Sequence, residues 1–222
     1  MSLTLAPGIS FVEQDGARVF LDLRRDRYFA LGEPADSAFT ALTRGKPNEA
    51  QQARLLKLVD ENILIDLPFG ENPRPCRQPA LTASALDEMP PTAPSRWRVL
   101  AAGRSIVCAK RRLKVRTLAS NVERLQGLKT SLAADVRPAC ELEREAIAAT
   151  FAAAGRLVPT LDQCLALSFA MARACLKSNL DTHLSIGVKL RPFEAHAWVS
   201  IEGIVVSDRL DNVRPFATIL LI

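Results

Sequence analysis

Apolar and polar positions alternate in three short runs near the start of the chain: "ISFVEQ" (9–14), "ARVFLDL" (17–23) and "RYFAL" (27–31). A period of two marks strands with one buried face. Asp15-Gly16, between the first two runs, is a hairpin-turn pair. Arg24-Arg25-Asp26 joins the second run to the third as another hairpin. The period then lengthens to that of a helix. Pro34 to Thr43 carries Ala38, Phe39 and Leu42 inward, and Asn48 to Glu61 carries Ala53, Leu56 and Val59 inward. Asn62 can close the second helix, and "ILIDL" leaves it as an extended end.

Patterning stops between Pro68 and Pro94, where seven of the fourteen prolines fall. Proline fixes φ and removes a donor, so neither a helix nor a central strand survives at this density. The chain therefore divides into residues 1–67, a linker over 68–95, and residues 96–222. In the last part, 96–116 reads as a helix with Val99, Leu100, Ile106, Val107, Leu113 and Val115 inward, and "ELEREAIAATFAAAGRLV" (141–158) as an Ala-rich amphipathic helix. A further helix begins near Thr160, where Thr160 and Gln163 have the spacing of a capping box. "HLSIGVKLR" (183–191), "AHAWVSI" (195–201) and "IVVS" (204–207) complete the pattern as three strands.

Charge sharpens this division. The net charge is +5, but residues 1–95 hold 10 Lys/Arg against 13 Asp/Glu, so the excess of base lies in the second part. Residues 96–116 alone carry eight basic side chains and no acid. Such a run is either a solvated helix face or a footprint for nucleic acid or a membrane surface. The solvated face is favoured, since no set of stacking aromatics accompanies the charge. No run of apolar residues is long enough to span a membrane, and the N-terminus lacks the pattern of a signal peptide. Five scattered cysteines without a C-x-x-C pair fit a reducing compartment, so a cytoplasmic location is expected. With two histidines and dispersed cysteines, no metal site is expected.

The chemistry concentrates on Cys164, His196 and Asp208. A helix starting at Thr160 puts Cys164 in its first turn, where the helix dipole favours a thiolate. His196 and Asp208 flank a turn at Glu202-Gly203. A three-residue loop, Ile201 to Gly203, sets His196 opposite Asp208; a two-residue loop sets it opposite Arg209 and turns Asp208 away. The three-residue register is expected, giving a nucleophile, a base and an orienting carboxylate. Cys175, deeper in the helix, reads as core; Cys76 lies in the linker, and Cys108 and Cys140 lack a helix-start context. His183 reads as solvated at a strand start, and Trp198 as either a cleft wall or core.

Two resemblances follow from these residues. Residues 1–67 resemble a winged-helix module. "VFLDLRRDRYFALGEPADSAFTAL" (19–42) is similar to the leader-peptide recognition element of ribosomal peptide biosynthesis. That resemblance implies an extended leader peptide added as an edge strand beside Tyr28, Phe29, Ala30 and Leu31. "CLALS" (164–168), "IGV" (186–188), "PFEAHAW" (192–198), Gly203 and Asp208 resemble the leader peptidases of lasso peptide biosynthesis, the B proteins. Members often have Arg where this chain has Leu167 and an acid where it has Ser200. The implied fold class is α+β: a small winged-helix-like N-terminal domain and a papain- or transglutaminase-like C-terminal domain, with helices packed on an antiparallel sheet.

The implied activity is a cysteine peptidase that removes the leader from a lasso precursor peptide, for antibiotic biosynthesis, before a separate asparagine-synthetase-like cyclase closes the ring. The expected partners are that precursor and that cyclase, with no nucleic acid and no membrane span. The family's association with ATP is implied too. No G-x-x-x-x-G-K-[ST] loop occurs, so no cofactor site is assigned. Two other readings stay open: a transglutaminase-like acyl transferase using the same triad, and a winged-helix DNA-binding regulator with a non-catalytic second half.

Overall fold

The structure is a computed structural model describing residues 2–45, 47–87, 93–158 and 163–222, the side chain of Gln163 excepted. The chain forms two compact units, one through Arg77 and one from Gln78 to Ile222.

In the first unit, β2 (Ile9–Gln14), β3 (Ala17–Asp22) and β4 (Arg27–Phe29) form an antiparallel sheet in that order. The β2–β3 turn is Asp15-Gly16, both residues at positive φ, which suits the twist of a hairpin. The Asp22 carboxylate accepts from the Arg24 and Arg25 N–H groups and folds the next turn. Two helices follow, α1 (Glu33–Thr43) and α2 (Glu49–Asp60), and then β5 (Leu64–Asp66), which pairs with β1 (Leu3–Leu5) at the start of the chain. Phe11 and Phe20 stack at 5.5 Å between centroids, and Phe39 of α1 meets each edge-on at 5.1 Å. Such pairs add about 0.5–1.5 kcal/mol each beyond the area they bury.

The α2 phase differs from expectation. Leu55 and Leu58 are buried, whereas Ala53 and Leu56 face solvent. Leu55-Leu56 and Leu58-Val59 offer two overlapping apolar stripes, and the one continuous with Ile63 and Leu64 is inside.

The second unit is a five-stranded sheet under helices. Its strands are β6 (Ala83–Ser84), β7 (Thr182–Leu190), β8 (Phe193–Ile201), β9 (Ile204–Val205) and β10 (Ala217–Leu221). The order is β10-β7-β8-β9-β6, antiparallel throughout except for β6 beside β9. The helices are α3 (Arg96–Val115), α4 (Leu118–Leu132), α5 (Glu141–Leu157) and α6 (Gln163–Lys177), with a short α7 (Leu210–Val213). Helix α6 packs on β7 and β8, and α3 packs on α5 and α6. Among the described residues, no helix is long and apolar enough to cross a membrane.

One expectation changes here. Of the six α3 residues read as inward, only Ile106 is fully buried, while Leu100 and Val115 are 54% and 83% exposed. The helix seats instead through Ala102, Ile106 and Ala109, an i, i+4, i+7 stripe whose small members allow close approach. The segment expected as a linker makes hydrogen bonds within each unit. On its first side the Cys76 N–H donates to the Phe11 carbonyl at 2.8 Å. On its second, Thr82 and Ala85 donate to Gly203 and Val205 at 3.1 and 2.9 Å, around β6. Proline is tolerated beside an edge strand because the flanking N–H groups can still pair. Residues 88–92 of this segment lie outside the described residues.

Candidate active site

Cys164 is the second residue of α6 and is half-buried. The capping pair expected at Thr160 and Gln163 rests on Thr160 and the Gln163 side chain, which lie outside what the structure describes. Four positions on, one turn along the same face, the Ser168 hydroxyl donates to the Ala197 carbonyl of β8 at 2.9 Å. The Ala197 N–H hydrogen-bonds the Cys164 sulfur. The short β9 accounts for both contacts. Main-chain groups of Ile201 and Val199 alternate toward β9, and Val206 N–H still donates to the Val199 carbonyl. The next position with that orientation, Ala197, lies beyond the end of β9, so its N–H and C=O are left for α6.

His196 lies on β8, opposite Gly187 of β7. Its Nε2 is 2.7 Å from Asp208 Oδ2, and its ring is hydrogen-bonded to the Cys164 thiol. With Nε2 occupied by the carboxylate, Nδ1 is the nitrogen left for sulfur. Asp208 Oδ1 accepts from Arg209 N–H and from Asn212 Nδ2, both at 2.7 Å. The Asp208 carbonyl accepts from the buried Ser84 hydroxyl of β6 at 2.6 Å. The three side chains expected at the site therefore come together.

The route to this arrangement is not the expected one. The β8–β9 loop has two residues, because Ile201 pairs with Ile204 and Ser200 with Val205. Glu202 and Gly203 both take positive φ, 52° and 82°, as a type I′ turn requires. A non-glycine residue is unusual there. Glu202 is also tied to Arg144 of α5 by a 3.0 Å ion pair. In a regular hairpin this register would turn Asp208 away. The chain instead leaves the ladder after Val206, and the Ser207 hydroxyl accepts from the Val199 N–H at 2.8 Å in place of a strand carbonyl. That bend frees Asp208 from strand alternation and returns it to His196.

The electrostatics follow from this geometry. Burial opposes charge on all three groups, and hydrogen bonding outweighs it. For Cys164, burial raises the pKa, but His196 and the N–H groups of Ala197 and Leu165 bring it below the ordinary thiol value. For His196, burial lowers the pKa, but Asp208 and Cys164 raise it to about 9. Burial likewise opposes ionisation of Asp208, which His196, Asn212 and Arg209 N–H hold below the ordinary carboxylate value. All three shifts favour a thiolate–imidazolium pair, the form of a cysteine able to attack an acyl carbon.

Beneath the site Trp198 is 1% exposed, packed with Val205, Leu210 and Val213, and its ring centroid is 6.1 Å from that of His196. It is thus core lying under the imidazole. Gly187 makes room for it: a Cβ there would lie 2.5 Å from Trp198 Cη2.

Among the other cysteines, Cys175 is buried and its thiol is pushed up to about 12, chiefly by that burial. Cys140 does stand at a helix start, as the N-cap of α5. His183 is half-buried on β7 rather than fully solvated, and burial and Lys129 lower its pKa. Among the described residues, no group of three or more His, Cys, Asp or Glu could hold a metal. In the first unit, Tyr28 and Phe29 belong to the edge strand β4, while Ala30 and Leu31 follow it. Phe29 and Leu31 pack on the core and Ala30 is exposed.

Sequence reasoning did not assign parts to Ser84, Ser168, Ala197, Ser207 or Asn212. Ser168 carried a usable signal in its four-residue spacing from Cys164. Ser84 carried none, being distant in sequence and set in a proline-rich run.

No solved structure matches the chain. A 45-residue stretch is 44% identical to the Microcin J25-processing protein McjB of Escherichia coli, covering 20% of this chain and 22% of that protein. A family model described as the transglutaminase-like superfamily matches residues 105–221, more than half of the chain and nearly all of the elements that carry Cys164, His196 and Asp208. The chain belongs to the transglutaminase-like superfamily.

Proposed function

We propose that this protein is a cysteine peptidase that removes the leader from a ribosomally made precursor peptide of the lasso class. The observation that carries the reading is the hydrogen-bonded chain from Cys164 through His196 to Asp208, with the Nε2–Oδ2 distance of 2.7 Å. The partial likeness to a microcin-processing protein supports the substrate class.

In this reading the Cys164 thiolate attacks the carbonyl carbon of the bond joining leader to core. The oxyanion is held by main-chain donors, for which the Cys164 N–H is suited because first-turn N–H groups have no intrahelical acceptor. The His196 imidazolium gives its proton to the leaving amine as the C–N bond breaks, and the core departs. The neutral imidazole then takes a proton from water as the hydroxyl adds to the thioester. Cys164 leaves as thiolate, the proton stays on His196, and the leader is released with a free carboxylate. Asp208 holds the ring and favours its charged form throughout.

The first unit is assigned leader binding, at the outer edge of β4 along Tyr28, Phe29, Ala30 and Leu31. An edge strand presents main-chain groups that an extended peptide can pair, and side-chain alternation gives the register. A separate cyclase would take up the released core.

The test is cleavage of a precursor peptide by the purified full chain, read by mass spectrometry, with a primary amine added in a parallel reaction. Leader with a free carboxylate supports the peptidase. Leader recovered as its amide with the added amine would assign acyl transfer instead.

A further inference from the structure

Asp208 lies on the bend that follows Ser207, outside the strand ladder, so sheet alternation does not set the direction of its side chain. The last torsion of an aspartate is broad and two-fold, so a carboxylate on such a bend takes its orientation from the partners of its two oxygens. Oδ2 is 2.7 Å from His196 Nε2. Oδ1 accepts from the Arg209 N–H and from Asn212 Nδ2, both at 2.7 Å. The Arg209 donor belongs to the adjacent residue and moves with the bend. The Asn212 amide comes instead from the one-turn helix α7.

That helix is anchored without help from the amide. Leu210 and Val213 are 5% and 1% exposed and pack with Trp198 and Val205, the cluster beneath the imidazole. The Asn212 N–H donates to the Arg209 carbonyl at 3.1 Å, and the Arg214 N–H to the Leu210 carbonyl at 3.0 Å. Asn212 itself is exposed and fills no part of the core. Its side chain therefore joins a rigidly mounted backbone to the carboxylate of the site.

An uncharged donor suits that place. A Lys or Arg there would compete with His196 for the carboxylate's charge, whereas an amide orients the carboxylate and favours its ionised form. The surrounding charges leave the pair to itself. Asp211 and Arg214 of α7 pair with each other at 3.1 Å, and Arg209 is exposed. β6 gives the uncharged Ser84 hydroxyl to the Asp208 carbonyl, and α6 faces the imidazole with Cys164.

We propose that Asn212 is a positioning residue of the site: its amide holds the Asp208 carboxylate turned toward His196 and, through it, keeps the imidazole charged beside the Cys164 sulfur. The catalytic consequence rests on the peptidase reading; the contact and its test do not.

The chain has two histidines, so an NMR titration of the ring carbons of the full chain gives one signal for the site and one, from His183 on β7, as a control. In the wild type His196 should lose its proton near pH 9. In Asn212→Ala, with a thermal melt showing it folded, that midpoint should fall by about one pH unit while the His183 midpoint stays in place. Asn212→Leu, closer in size, repeats the measurement should Asn212→Ala melt early. In an Asp208→Ala background no carboxylate remains to be held, so adding Asn212→Ala should move the His196 midpoint no further.

An unmoved His196 midpoint in the folded variant, or an equal fall in the Asp208→Ala background, would overturn the proposal. A midpoint that falls in a protein whose wild type releases no leader would count against the peptidase reading and leave the role of Asn212 standing. Leader release beside an unmoved midpoint would do the reverse.

Discussion

Ala197 enters the site through its main chain alone, donating to the sulfur of Cys164 and accepting from Ser168. That double contact fixes the start of α6 against the strand bearing His196, so thiol and imidazole meet without depending on side-chain reach. The charges then follow. With the Cys164 pKa lowered and that of His196 raised to about 9, the thiolate–imidazolium pair exists between the two values. Leader cleavage (kcat/KM) should therefore rise as pH passes the lowered thiol value and fall as His196 loses its proton near pH 9. Asp208→Ala removes a bond that raises the His196 pKa, so the alkaline limb should move to lower pH and the rate should fall without vanishing. An alkaline limb unmoved in that variant would remove Asp208 from the mechanism.

Gly187 acts by what it lacks. Its missing side chain leaves space for Trp198, and an added Cβ would also lie 2.9 Å from Phe216 Cβ. Gly187→Ala should cost about 1–3 kcal/mol as overpacking, seen as a lower melting temperature. A melting temperature equal to the wild type would show that the packing under His196 is loose.

At the level of elements, the short strands do more for the site than the long ones. β9 ends after Val205 and so leaves Ala197 open, and β6 brings Ser84 to the Asp208 carbonyl. Ser84→Ala should loosen Asp208 and lower the alkaline limb of the pH profile, with Ser84→Thr restoring part of it. A Ser84→Ala enzyme of lower stability but unchanged pH profile would make Ser84 a fold residue only.

These same elements mark where the sequence stopped being legible. Strong periodicity made β2, β3, α1, α5, β7 and β8 readable, because one buried face dictates the pattern. β6 and β9 are two residues each, too short for any period, and β6 lies among prolines. The C-terminal strand β10 was not anticipated either. The hairpin register failed for a local reason: Glu202 accepts a conformation that favours glycine, and its ion pair to Arg144 comes from a helix about sixty positions away in the chain. The Cys164, His196 and Asp208 set was still readable, since residue type and order limit the chemistry more tightly than register does.

On the scale of the whole molecule, the two units divide the proposed labour. Residues 1–77 should bind a leader peptide about as tightly as the full chain. Residues 78–222 alone should cleave poorly, because the bond would no longer be presented at raised effective concentration. Titration of each piece with the leader checks this, and leader binding confined to residues 78–222 would reverse the assignment.

The central claim is that Cys164 is the nucleophile of a peptidase, and the direct measurement is leader cleavage by the full chain carrying Cys164→Ala beside the wild type. Both should give the same thermal melt, the wild type should release the leader, and the variant should release none. A folded Cys164→Ala protein that cleaves at the wild-type rate would contradict the account.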